Sequence, residues 1–304
     1  DPDYCSALRS LWANITHRKL YLTGGIGSGE TPEGFGPDYS LPARGYCETC
    51  ASCGELFFQW KVGRIWHDAR CADLYEDTLY NAILGSLDLE CRHYYYDNPL
   101  DARVARYRWH VCPCCVGNLP RTLLMLPEWM YATGDNALYV NLFVGSRARI
   151  ERVAGTSVEI IQQTRYPWDG KVSITIHPSA EKRFAVHVRV PNRNASRLYR
   201  TESGTPRLPV FRVNGMPVRP PVRNGYAVVE RIWRRGDRIE CELPLSAERV
   251  LPDDRIQQLR GRVALRYGPL IYNIEHHEQD ISKALDPNAP IEAEWRPDLL
   301  GGVV

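Results

Sequence analysis

No stretch of the 304-residue sequence approaches the roughly 20 consecutive apolar residues that a helix needs to cross a bilayer. Charge of one sign is missing as well. Lys and Arg number 38 against 36 Asp and Glu, a formal net charge of +2, so no broad electrostatic footprint points to nucleic acid or an anionic membrane. The basic cluster of Arg231, Arg234 and Arg235 is local and reads as a solvated strand end. The first residues show no charged-then-apolar-then-small pattern, and there is no internal repeat or low-complexity linker. Ten cysteines are too sparse for a disulfide scaffold. What remains is a chain long enough for two domains of ordinary size and a sizeable core.

The cysteines that are present cluster in two runs. Cys47, Cys50 and Cys53 flank Glu48, and Cys112, Cys114 and Cys115 form a second group further along. Thiolate and carboxylate donors in two short runs brought together by folding are the usual way to build a tetrahedral Zn²⁺ site. A disulfide between the vicinal pair Cys114 and Cys115 would close a strained ring, which favours ligation and a reduced cluster. The thiols leave two sets open: one that includes Glu48, and an all-sulfur set of Cys47, Cys50, Cys112 and Cys115. The scattered Cys5, Cys71, Cys91 and Cys241 read as small buried hydrophobes.

Helical spacing runs from Ala7 to Thr16, from Glu48 through Ser52 to Trp60, from Asp73 to Leu87 and from Leu119 to Met130. The glycine run Gly24 to Gly29 is followed by no Gly-Lys-Ser/Thr, so it reads as a loop needing positive φ rather than a phosphate cradle. His67, Glu76 and Asp77 read as a solvated helical face, Trp168 as sandwich core, and Trp66 and Trp109 as weak stacking candidates. In the run Tyr94-Tyr95-Tyr96, alternate residues are expected in the core. Beyond Ala137 the period changes to two. Leu138 to Val144, Ser157 to Gln162, Lys171 to His177, Phe184 to Val190 and Val228 to Trp233 alternate, with turns at Asn214-Gly215 and Asn224-Gly225, a pattern that argues for an antiparallel β-sandwich.

Several motifs then carry a resemblance. Gly24-Gly25-Ile26-Gly27, Glu33-Gly34-Phe35, Glu48-Thr49-Cys50-Ala51, Tyr96-x-Asn98-Pro99-Leu100 and Cys112-x-Cys114-Cys115-x-x-Asn118-x-x-Arg121 stand in the order seen in glycoside hydrolase family 127, the β-L-arabinofuranosidases. The second half resembles the same family through Tyr166-Pro167-Trp168, Val213-Asn214-Gly215, Trp233-x-x-Gly236-Asp237 and Tyr267-Gly268-Pro269-Leu270.

The resemblance implies an α+β multidomain fold, the C-terminal part of an (α/α)6 toroid followed by antiparallel β-sandwich. Residues 1–135 would be the partial toroid, 136–250 a β-sandwich and 251–304 the start of further strands. It also implies a fragment, because family members carry helices before the Gly-Gly loop and strands after the present C-terminus. Glu48, Cys50, Cys114 and Cys115 would hold zinc, Cys114 would be the nucleophile, Glu33 the acid/base and Tyr96 a wall of the sugar pocket. Glu30 competes with Glu33, and His110 reads as a hydrogen-bonded structural histidine. The expected activity is retaining hydrolysis of terminal β-L-arabinofuranose on a glycan or glycopeptide. A non-enzymatic carbohydrate-binding or structural zinc protein is the alternative. Exposed helix faces of a partial toroid favour self-association into a homo-oligomer. Zinc-thiolate chemistry suits a reducing cytoplasm, the expected compartment.

Overall fold

The computed structural model describes residues 1–29, 33–101, 105–202, 208–274, 284–298 and 302–303; the competing candidate Glu30 lies outside the described residues. Helices come first. Helix α1 (Pro2–Asn14) starts from an Asp1 cap whose side chain accepts from Asp3 N–H. Its last turn widens through Ile15–Lys19, so the helical stretch extends beyond both ends of the segment that the spacing predicts.

Helix α2 (Thr49–Trp66) is longer than its apolar spacing suggests, and ends where His67 turns left-handed at φ 48° and returns its N–H to Gly63 O. Asp68 then caps α3 (Ala69–Thr78), accepting from Arg70 N–H at 2.9 Å. The expected helix up to Leu87 is not uniform: after Thr78 it widens over Leu79–Ile83 and then tightens over Leu84–Ser86. Helix α4 (Cys114–Leu124) begins five residues earlier than Leu119 and hands over at Met125 to α5 (Leu126–Met130).

The strands follow. They are β1 (Tyr131–Gly134), β2 (Ala137–Val140), β3 (Ser146–Val153), β4 (Thr156–Thr164), β5 (Lys171–Pro178) and β6 (Lys182–Arg189). Next come β7 (Tyr199–Thr201), β8 (Val210–Val213), β9 (Met216–Val218), β10 (Val222–Arg223), β11 (Tyr226–Trp233) and β12 (Asp237–Glu242). Among the described residues, one sheet has the order β1-β2-β6-β11-β10 and another β3-β4-β5-β12-β8-β9. Pairing is antiparallel apart from β2 with β6. Alternate residues of β4 and β5 turn inward, and Val158, Ile160, Ile174 and Ile176 meet Leu138, Val186, Val188 and Trp233 of the other sheet in one apolar core. Asn214-Gly215 and Asn224-Gly225 have φ of 51°/78° and 47°/78°, the paired positive values that a tight two-residue hairpin requires. A further sheet joins β7 to β13 (Ala247–Pro252), β14 (Ala264–Tyr267) and β15 (Leu270–Tyr272).

Helices and sheets are joined through buried charge, which corrects the reading of Glu76 and Asp77 as solvated. Arg189, at the end of β6 and 0% exposed, donates to Asp73 at 2.6 Å and pairs with Glu76, both on α3 and each 1% exposed. Arg193 pairs with Glu76 at 2.8 Å and with Asp77 at 3.1 Å. Burial acts to raise the Glu76 carboxyl, but Arg189 and Arg193 outweigh it and hold it below its ordinary value. His67 is not on a solvated face either: its ring stacks on Tyr139 of β2 at 4.4 Å. Ala69 N–H donates to Asn224 O, and a Cβ on Gly225 would lie 2.6 Å from the Ala69 Cβ, so the β10–β11 turn sits directly on the start of α3.

The scattered cysteines split. Cys71 and Cys241 are buried as expected, whereas Cys5 and Cys91 are exposed, because one lies on the outward side of α1 and the other in a tight turn with φ 54°. Trp168 is half-buried against Trp295 rather than in the sheet core, Trp66 packs edge-on to Trp12, and Trp109 is exposed. No helix among the described residues is long and apolar enough to cross a membrane.

Candidate metal and catalytic site

The starts of α2 and α4 lie side by side. Glu48 immediately precedes α2, Cys50 is in its first turn, and Cys114 and Cys115 are the first two residues of α4. The start of α2 is pinned by an extended segment: Thr49 N–H donates to Tyr96 O at 2.8 Å, and the Thr49 hydroxyl to Tyr95 O at 2.6 Å. The same contacts bring the Tyr96 ring over the site, with Tyr94 and Tyr96 buried and Tyr95 only partly so. The positive ends of two helices therefore converge on the sulfurs.

Glu48, Cys50, Cys114 and Cys115 each place one ligand atom so that all four lie within 4.8 Å of one another. Cys50 Sγ is 3.2 Å from Cys115 Sγ, and Cys114 Sγ is 3.9 Å from Cys115 Sγ. Glu48 Oε1 is 3.4 Å from Cys114 Sγ and 3.6 Å from Cys115 Sγ. A tetrahedron with metal–sulfur bonds of about 2.3 Å has donor–donor edges near 3.7 Å, and these separations straddle that value. Three sulfurs and one carboxylate oxygen are a soft set suited to Zn²⁺ rather than to Mg²⁺ or Ca²⁺. Burial pushes the Cys50 thiol up to about 12 and raises Cys115 further, the neighbouring sulfur adding to it, so three thiolates this close need a cation among them.

The rival all-sulfur set is not brought together. Cys47 is buried with a left-handed backbone, φ 45°, its sulfur against Gly25 and Tyr21, and burial pushes its thiol up to about 12. Cys53 is buried one turn along α2 from Cys50, beside Thr122. Cys112 is exposed, its Sγ 3.5 Å from Cys114 Sγ. Its hydrogen bond with Tyr96 holds the Cys112 thiol below the ordinary value.

Tyr96 OH lies 3.4 Å from Cys114 Sγ, and hydrogen bonds shared with Cys114 and Cys112 raise its own pKa. His110 stacks on Tyr96 at 4.0 Å, and its Nδ1 accepts from Cys112 N–H at 3.2 Å, as a hydrogen-bonded structural histidine would. Glu33 is exposed, in a left-handed turn of φ 56°, and is not part of the group within 4.8 Å. Its charge helps to raise Tyr46, whose ring lies edge-on to Tyr96 at 6.4 Å. Asn118 is a contact that the motif names without a role: its side-chain N–H donates to Cys50 Sγ at 3.1 Å. Its spacing of three and four from Cys115 and Cys114 is the signal, since such residues share a helix face.

Residues 1–128 match the family described as beta-L-arabinofuranosidase, GH127 catalytic domain, and residues 137–245 match its GH127 middle domain. The chain belongs to glycoside hydrolase family 127. Relatives in family 127 agree. The chain is 28% identical over 330 aligned residues to a non-reducing end beta-L-arabinofuranosidase of Bifidobacterium longum subsp. longum, covering 100% of this chain and 48% of the relative. A crystal structure of a GH127 beta-L-arabinofuranosidase from Geobacillus stearothermophilus superposes with a TM-score of 0.87 at 33% identity, over 97% of this chain and 48% of that one. A GH127 beta-arabinofuranosidase structure superposes with a TM-score of 0.92 at 28% identity, over 99% and 52% of the two chains. The chain thus spans about half the length of the family 127 relatives it matches.

Proposed function

We propose that this chain carries the metal-thiolate centre of a retaining glycoside hydrolase that releases non-reducing terminal β-L-arabinofuranose from a glycan or glycopeptide. The observation that carries the reading is the convergence of Glu48, Cys50, Cys114 and Cys115 at two helix starts under Tyr96. The activity of the relatives supplies the sugar. In the same reading residues 1–135 are the C-terminal part of an (α/α)6 toroid, 136–250 a β-sandwich, and 251–304 the beginning of further strands.

Glu48, Cys50, Cys114 and Cys115 would hold Zn²⁺, which when bound supplies the positive charge that keeps Cys114 a thiolate at neutral pH. Cys114 is the sulfur of choice for attack. It is only half-buried, whereas Cys115 is wholly buried and Cys50 is engaged by Asn118. Its Sγ attacks the anomeric carbon as the glycosidic bond breaks, and Glu33 protonates the departing oxygen. Glu33 then takes a proton from the water that displaces the thioglycosyl group, so configuration is retained. Tyr96 orients the attacking sulfur through its hydroxyl and closes one wall around the sugar.

Metal content per chain and hydrolysis of an aryl β-L-arabinofuranoside test the reading together. About one zinc per chain is expected, weakened by Glu48→Ala, with turnover abolished in Cys114→Ser and Glu33→Gln. Zinc retained fully in Glu48→Ala and Cys114→Ser would move the site elsewhere and remove the nucleophile assignment, and sugar binding without turnover would favour a binding protein.

A further inference from the structure

Two residues of the cysteine motif, Asn118 and Arg121, have no part in the chemistry above, yet they touch the site. Asn118 lies one turn beyond Cys114 and Cys115 on α4, and its Nδ2 reaches across to Cys50 Sγ on α2 at 3.1 Å. Its Oδ1 accepts from Arg121 Nη1 at 3.2 Å. The Arg121 guanidinium lies over the Phe57 ring of α2, 4.8 Å from its centroid.

This chain of contacts fixes which way the amide faces. Arginine has donors and no acceptor, so the oxygen of Asn118 must face Arg121 and the N–H₂ must face the sulfur. A flipped amide would set an oxygen lone pair against a thiolate and an N–H against a cation, two repulsive contacts in place of two attractive ones. The cation–π seat on Phe57 keeps Arg121 on the α2 side of α4, so the relay links the two helices that carry the ligands.

The three sulfurs are then not equivalent. Cys50 receives a directed N–H bond from a group that cannot turn away, whereas Cys114 faces the Tyr96 hydroxyl and the exposed Cys112. We propose that Asn118, held by Arg121, is a positioning residue that fixes the Cys50 thiolate as a permanent metal ligand and leaves Cys114 as the sulfur free to react. The proposal rests on the reading that Glu48, Cys50, Cys114 and Cys115 bind zinc. Hydrogen bonds to metal ligands of this kind typically change metal affinity by about 10- to 100-fold.

The test is Zn²⁺ affinity by chelator competition, with the Co²⁺ sulfur-to-metal charge-transfer band as the second readout. The proteins are the parent, Asn118→Leu, Asn118→Asp, Arg121→Gln and Cys50→Ser. Both Asn118 variants keep the side-chain shape and lose the N–H donor. They are expected to weaken zinc by about 10- to 100-fold and to move the charge-transfer band to longer wavelength, because the sulfur lone pair loses its hydrogen bond. Arg121→Gln, at an exposed position, should fold normally and shift both readouts the same way by less. Parent-like affinity in both Asn118 variants, with Cys50→Ser defective, would overturn the proposal and leave the metal site standing. An affinity loss with an unmoved band would reduce Asn118 to a packing role and overturn it as well. Parent-like zinc binding in Cys50→Ser would remove the metal reading and this proposal with it.

Discussion

Glu55 offers the sharpest test of the buried charge on α2. It lies on α2, 1% exposed, with Oε1 accepting from Gln59 Nε2 at 2.6 Å and Oε2 without a hydrogen-bond partner among the described residues. Burial pushes its carboxyl from 4.5 up to about 7, the Gln59 bond offsetting only part of the effect. The folded pKa lies above the unfolded one, so the stability Glu55 contributes is fully present below pH 4.5 and is lost as pH rises to about 7. Glu55→Gln keeps the shape and the acceptor but cannot ionise. Relative to the parent it should be nearly neutral at pH 4 and increasingly stabilising above that. At 1.36 kcal/mol per pKa unit, the gain should grow by roughly 2.5 kcal/mol between pH 5 and pH 8. Urea unfolding of both proteins at the two pH values reads this difference directly, and the neighbouring carboxylates cancel because both proteins carry them. A gain that is independent of pH, or larger at pH 5, would refute the assignment of a neutral buried Glu55.

Three further outcomes follow from the geometry. Arg189→Met strands Asp73 and Glu76 without their shared cation and should cost about 3–5 kcal/mol in equilibrium denaturation, since breaking one side of a buried pair leaves the other uncompensated; a loss below about 1 kcal/mol would mean that water reaches the cluster. Gly24→Ala should cost more than about 2 kcal/mol, read from the urea midpoint, because Gly24 has φ +78° and a Cβ there would lie 2.3 Å from Thr78 Oγ1. Tyr96→Phe removes the hydroxyl 3.4 Å from Cys114 Sγ and should lower kcat/KM on the aryl arabinofuranoside about tenfold, with little change in zinc content.

The grouping of Glu48 and Cys50 with Cys114 and Cys115 was legible because its geometry is local. Glu48 with Cys50, and Cys114 with Cys115, are each set by a single helix start, so spacing alone narrows where their side chains can go. The choice between Glu48 and the extra thiols was not legible, since it turns on the left-handed backbone at Cys47, which points that sulfur toward Tyr21. Glu76 and Asp77 were misread for the opposite reason. Their α3 pattern is that of an exposed face, and the arginines that bury them stand on or after β6, at a sequence distance that no periodicity reports. Helix ends were similarly obscured: α2 runs on past Trp60 to a left-handed His67 whose ring is held by Tyr139, a contact made across the two halves.

That distance bears on how the protein is made. Asp73 leaves the ribosome 116 residues ahead of Arg189, and Glu76 leaves 113 residues ahead of it. At about 5–20 residues per second, α3 waits on the order of ten seconds for the guanidinium that makes its burial tolerable. Until then, closing the helical segment over α3 would bury Asp73 and Glu76 without their cation, which favours their protonated forms. The thiol cluster, whose Cys50 and Cys115 emerge only 65 residues apart, can assemble before the sheets exist.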